Sequence, residues 1–289
     1  MIIYGKLAIC QRKSNANKKG ALIMTQIKPE VFNELLGIND SYQAPQALLN
    51  VLYDREKREQ LMRDVLAATN YDVDDDCFRD YFQSEHADRK TKKQDFTPQS
   101  LSKLTRALVG NNDGMFYEGC AGTGSMTISA WDADRREHSP FDYRPSWNFY
   151  VLEELSERAI PFLIFNVALR GMNAVIVHGD VLTREAYGVI FVQNDKDDHM
   201  SFSSVNFLPR TDAIANAGLY LPLKWAEDGP VYDVHIESPR DFEALPAFTN
   251  AVPRGSISEF TFAVYAMCGV KHPHLDDYLE VLEAEREVE

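Results

Sequence analysis

The chain has 289 residues, 45% of them hydrophobic and 26% charged, with a net charge of −14 at pH 7. That is the composition of a globular protein with room for an α/β core and a helical appendage. No apolar run approaches the roughly 18 residues of a membrane span. Acids outnumber bases 44 to 30, which argues against a broad basic surface of the kind that grips nucleic-acid phosphates and leaves room for a local basic patch.

Residues 1–23 read as a basic leader, with Lys6, Arg12, Lys13, Lys18 and Lys19 set among Ser, Asn and Gly. They look disordered, and Met24 is a candidate alternative start. Residues 24–94 read as a helical segment. From Pro45 onward, Leu48, Leu49, Leu52, Leu61, Val65 and Leu66 are spaced for an amphipathic helix or helix pair. An acidic turn, Asp72–Asp76, leads into a short aromatic helix with Phe78, Tyr81 and Phe82, and the polar stretch 84–93 reads as a linker. The cysteines at 10, 77, 120 and 268 show no metal-ligand spacing and read as free thiols in a reducing cytoplasm.

From Asp95 to 289 the pattern predicts an α/β domain. Thr97-Pro98 starts a helix, with Thr as N-cap and Pro at the first helical position. Met115–Tyr117, Asn148–Leu152, Ala174–Val177 and Val189–Val192 read as four strands, and Leu155–Leu169 as a helix. Strands alternating with helices predict a parallel, doubly wound sheet. Val231–Ile236 and Phe260–Tyr265 also alternate like strands.

The first strand runs into Glu118-Gly119-Cys120-Ala121-Gly122-Thr123-Gly124. Close glycines after a strand let the backbone approach a nucleotide-like ligand. The second strand ends in Glu153 and Glu154, of which one is an acid suited to ribose hydroxyls and the other a helix-start charge. The third ends in Gly179-Asp180, where a carboxylate can accept from an adenine amine.

Asp95-Phe96-Thr97-Pro98, the Glu118–Gly124 loop, Tyr150–Glu153 and Gly179-Asp180, in this order, resemble the modification subunit of type I restriction–modification systems. These are adenine-N6 DNA methyltransferases dependent on S-adenosylmethionine (SAM). The resemblance covers roughly residues 95–195. Glu118-Gly119 stands where the family has Asp-Pro, and an extra Ala precedes Gly122. It implies a class I SAM-dependent methyltransferase fold, with Phe96 and Thr97 flanking the methionine part of SAM. Glu118, Cys120, Gly122 and Gly124 would line it, Glu153 would hold the ribose and Asp180 the adenine amine. DNA would be held through a separate specificity or partner subunit.

The family's Asn/Asp-Pro-Pro-Tyr/Phe motif, which receives the amine of a flipped adenine, is eroded to Gln193-Asn194-Asp195-Lys196. Asn194 is the remaining candidate acceptor. Both prolines and the stacking aromatic are missing, and such stacking contributes roughly 1–3 kcal/mol. Three readings follow: an adenine-N6 DNA methyltransferase of a restriction–modification system or mobile element, an inactive homologue acting by binding or regulation, or a methyltransferase of a non-DNA substrate.

Overall fold

The computed structural model describes residues 26–84, 101, 104–105, 114–216 and 222–237. The leader, the Phe96-Thr97-Pro98 turn and Phe260–Tyr265 lie outside them.

The amphipathic segment after Pro45 forms a helix pair. Helix α1 (Pro29–Leu36) ends at Gly37, whose φ of 68° is the left-handed conformation that closes helices. Helix α2 (Ala44–Leu52) is followed by α3 (Arg55–Ala68), and the break lies at Asp54, whose carboxylate accepts from the Lys57 amide at 3.1 Å. Arg58, Leu61, Met62, Val65 and Leu66 of α3 are buried, the spacing of one helical face. Helix α4 (Arg79–Ser84) is the expected short aromatic helix.

Helix α5 (Ser125–Arg136) follows strand β1 (Met115–Glu118), and α6 (Ile160–Leu169) follows β2 (Phe149–Glu154). All ten residues of α6 are buried, because it lies between the sheet and the N-terminal helices, and its apolar side chains belong to one cluster with those of α1–α3. A helix covered all round has no polar stripe. It starts five residues later than expected from the sequence: Glu154 accepts from the Ser156 amide at 2.7 Å, and a turn precedes Ile160.

Strands β1, β2 and β3 (Ala174–Asp180) are parallel neighbours. The chain then departs from the doubly wound course. Strand β4 (Glu185–Gln193) turns straight back along β3, antiparallel, and β5 (Ser204–Phe207) turns back again along β4. The order β1-β2-β3-β4-β5 is therefore sequential, with the two-residue β6 (Lys224–Trp225) pairing β4. The physical cause is the tight turn after β3. Asp180 accepts from the Leu182 amide at 2.8 Å, the Asp180 carbonyl accepts from the Arg184 amide at 2.8 Å, and Arg184 takes φ 65°. A crossover to a parallel strand needs a dozen or more residues, and this connection has no room for one. The result is a mixed α/β fold.

Tyr150, Leu152, Ala174, Ile176, Ile190, Val192, Val205 and Phe207 face α6 and the N-terminal helices. Val151, Val175, Val177, Val189 and Phe191 face the opposite way and pack with Ile214 and Ala215 of α7 (Asp212–Asn216) and with Leu223. Val231–Ile236 is not a strand; its backbone pairs with the sheet at one bridge, His235 to Phe207. Among the described residues no helix is long and apolar enough to cross a membrane.

Candidate cofactor site

The carboxyl ends of β1, β2 and β3 meet at one edge of the sheet, and the glycine loop lies across it. Gly122 and Gly124 have φ of 57° and 98°, values that a Cβ makes costly. The Ala121 amide donates to the Glu153 carbonyl at 2.9 Å, and the Gly122 amide donates to Glu154 Oε2 at 2.7 Å. The loop is thus pinned along the end of β2.

Alternation along β2 sends its two terminal acids to opposite faces. Glu154 faces the glycine loop. Its two accepted bonds, from Gly122 and Ser156, leave free lone pairs on a carboxylate that has about four acceptor sites. Glu153 points the other way. Its carboxylate accepts from the Tyr117 hydroxyl at 3.1 Å and from Arg184 at 2.6 Å, and its side chain is only 4% exposed. The sequence reading assigns the ribose acid to Glu153; here the β4 turn brings Arg184 onto that carboxylate, and Glu154 keeps the freer acceptor sites.

Asp180 also differs from expectation. One of its carboxylate oxygens caps the β3–β4 turn. Gly179 is fixed by that turn too, since a Cβ there would collide with the backbone of Glu185 and Ala186.

Glu118 is buried, and its carboxylate accepts from the Thr127 hydroxyl of α5 at 2.5 Å. Burial pushes its pKa up to about 7, against the Thr127 hydrogen bonds, and the neighbouring Glu154 adds to the rise. Cys120 is exposed on the loop. Its thiol pKa is raised by partial burial and then by Glu154, Glu118, Glu153 and Asp180. Four carboxylates therefore act on one point of the loop, with Arg184 paired to Glu153. Apolar surface adjoins them: Leu155, directly after β2, is 54% exposed and Leu182, just after β3, is 88% exposed.

Asn194 is not part of this group. Because β4 runs antiparallel, its last residues pair with the first of β3, Val192 opposite Ala174. Asp180 and Ala174 are six steps apart, roughly 20 Å along a strand. At that far edge the Asn194 side-chain amide donates to the carbonyls of Gly171 at 3.0 Å and Asp198 at 2.8 Å, and its oxygen accepts from the Asp198 amide at 3.1 Å. The expectation that Asn194 receives a substrate amine is corrected here: it is a buried turn residue with its amide groups bonded. The nearby acids are turn residues as well. Asp197 accepts from the Ser146 amide at 2.8 Å, and Asp198 accepts from the Met200 amide at 2.9 Å.

Three residues matter here that the sequence did not announce. Asp76 is fully buried beneath the glycine loop, and Arg170, at the end of α6, donates to the Val73 and Asp75 carbonyls at 3.0 and 2.7 Å. His178, near the end of β3, bonds to the Tyr232 hydroxyl at 2.7 Å and to the Leu155 carbonyl at 3.2 Å. Burial depresses its pKa to about 4, so it is neutral at pH 7. The acid run at 72–76 was the one available signal for Asp76, and its buried members, Asp75 and Asp76, are indistinguishable by composition from the half-buried Asp72 and Asp74.

Residues 72–205 match the family model described as N-6 DNA Methylase. No curated protein and no solved structure matches the chain. The matched region begins at the acidic turn, contains the glycine loop and the three parallel strands, and ends inside β5. Over residues 72–205, somewhat less than half of its length, the chain is similar to the N-6 DNA methylase family.

Proposed function

We propose that this methyltransferase-like protein binds SAM at the carboxyl edge of β1–β3. The observation that carries the reading is a glycine loop, left-handed at Gly122, pinned across the end of β2 beside the carboxylate of Glu154 and close to those of Glu118 and Asp180. SAM carries a sulfonium and an ammonium, and a site of excess negative charge favours such a ligand over a neutral one. The residues fit the group. Gly122 allows close backbone approach, Glu154 has lone pairs to accept from ribose hydroxyls, and Leu155 and Leu182 offer apolar surface to a purine. When bound, SAM supplies an activated methyl group. The chain's own residues would hold it: Glu154 would orient the ribose, and Glu118 and the loop would line the methionine portion.

The natural acceptor for this family is the N6 amine of adenine in DNA, in a cytoplasmic setting, with a partner subunit gripping the duplex. A partner is needed because many of the described arginines are spent on acids: Arg135 and Arg136 on Asp74 and Asp132, Arg79 on Asp75, Arg144 on Asp197 and Arg55 on Glu59. A second reading, binding or regulation without methyl transfer, is favoured by one observation, the position of Asn194 at the opposite edge. Labelled-methyl transfer from SAM to adenine-containing DNA, with and without a specificity subunit, separates the two. Incorporation establishes the enzyme; SAM binding without incorporation establishes the regulator.

A further inference from the structure

We infer that Asp76, from the acidic turn ahead of α4, is a positioning residue that sets the shape of the glycine loop from below. The inference rests on that loop being the cofactor loop. Asp76 is 0% exposed, and its two carboxylate oxygens divide four donors between them. Oδ2 accepts from the hydroxyls of Thr123 and Ser125, the latter at 3.0 Å. Oδ1 accepts from Asn166 Nδ2 at 2.9 Å and from the Phe78 amide at 3.0 Å. Asn166 also donates to the Thr123 carbonyl at 2.8 Å.

One buried carboxylate therefore joins three elements: the helical segment, the loop with the first turn of α5, and α6. A buried carboxylate with four donors is satisfied without a cationic partner. Removing one donor from such a network costs more than one exposed hydrogen bond, because the charge stays buried. The turn cannot drift away from the loop. Arg170 clamps its carbonyls, and Asp74 binds Arg135 and Arg136 at the far end of α5, at 2.6 and 2.5 Å.

The loop thus sits between two clamps. Above, its amides at Ala121 and Gly122 are held by β2. Below, its Thr123 hydroxyl is held by Asp76. With both in place, the left-handed backbone at Gly122 and Gly124 is fixed before any ligand arrives, and the ordering cost of binding is removed. The helical segment is then a working part of the cofactor site.

The experiment compares full-length wild type with Thr123→Val, Thr123→Ser and Ser125→Ala. Each is titrated with SAM, melted, and followed by amide hydrogen exchange over residues 119–125. Thr123→Val removes the hydroxyl and keeps the shape; Thr123→Ser keeps the hydroxyl. The inference expects Thr123→Val to weaken SAM binding by about tenfold or more, the equivalent of one charge-assisted hydrogen bond, and to speed loop exchange. Thr123→Ser stays close to wild type in both. A Val variant with a lower melting temperature but wild-type affinity and unchanged loop exchange overturns it. If wild type does not bind SAM, the cofactor reading fails by itself. Loop exchange in Val against Ser then still decides the positioning claim. If Thr123→Val does not fold, Ser125→Ala is read in the same way.

Discussion

Asn194 donates its side-chain amide to the Gly171 carbonyl at 3.0 Å, on the sheet edge opposite the Glu154 carboxylate. The sequence places Asn194 where the family's amine acceptor belongs, and the antiparallel β4 carries it away. Asn194→Asp provides the sharp test. A carboxylate at a substrate-facing position would keep an acceptor, but here it would face the Gly171 and Asp198 carbonyls, acceptors already. The expected result is a stability loss of about 1–3 kcal/mol, as for an unsatisfied buried polar group, with SAM affinity unchanged. Chemical denaturation and calorimetry read the two quantities separately.

Glu118 makes the site pH-sensitive. Its pKa lies near 7 in the folded protein against an ordinary 4.5. The native state therefore holds a proton that the unfolded chain releases between pH 4.5 and 7, and stability falls as pH rises through that window. Glu118→Gln removes the charge and keeps an acceptor for Thr127, so it should stabilise the protein at pH 8 and change little at pH 4. A cationic ligand favours the ionised carboxylate, so SAM affinity should rise with pH through about 7 in wild type and lose that rise in the variant. A flat affinity profile in wild type would count against Glu118 facing the cation.

The helical segment is joined to the sheet at a second point, by a buried ion pair. Arg58, fully buried, donates to both oxygens of Glu237 at 2.7 and 2.6 Å and to the Leu52 carbonyl. The Arg58 hydrogen bonds and charge hold the Glu237 carboxyl below its usual pKa, against the effect of burial. Glu237→Gln leaves a buried guanidinium without its counter-charge and should cost about 3–5 kcal/mol. Arg58→Met with Glu237→Leu removes both charges and should recover most of that loss. Urea melts of the three chains check it, and a double variant as weak as the single one contradicts the account.

The elements that alternate most plainly were legible: β1, β2, β3 and the glycine loop stand at the expected positions, as does the helix pair α2–α3. Two things were not legible. The direction of β4 depends on a four-residue turn, Val181–Arg184, whose sequence has none of the Gly or Pro that mark turns, and whose φ-positive residue is an arginine. The choice between Glu153 and Glu154 depends on strand register, and a shift of one residue exchanges the faces. The buried role of Asp76 was hidden for a related reason: its partners, Thr123, Ser125 and Asn166, are distant in sequence.

The most direct measurement is calorimetric titration of SAM into wild type, Glu154→Gln and Glu153→Gln. The account predicts saturable binding to wild type, weakened by about tenfold or more in Glu154→Gln, the loss of charged hydrogen bonds to the ribose. Glu153→Gln, whose carboxylate is engaged by Tyr117 and Arg184, should bind within a few-fold of wild type. Loss of binding in Glu153→Gln with Glu154→Gln unaffected would contradict the assignment of the site, and no binding to wild type would contradict the cofactor itself.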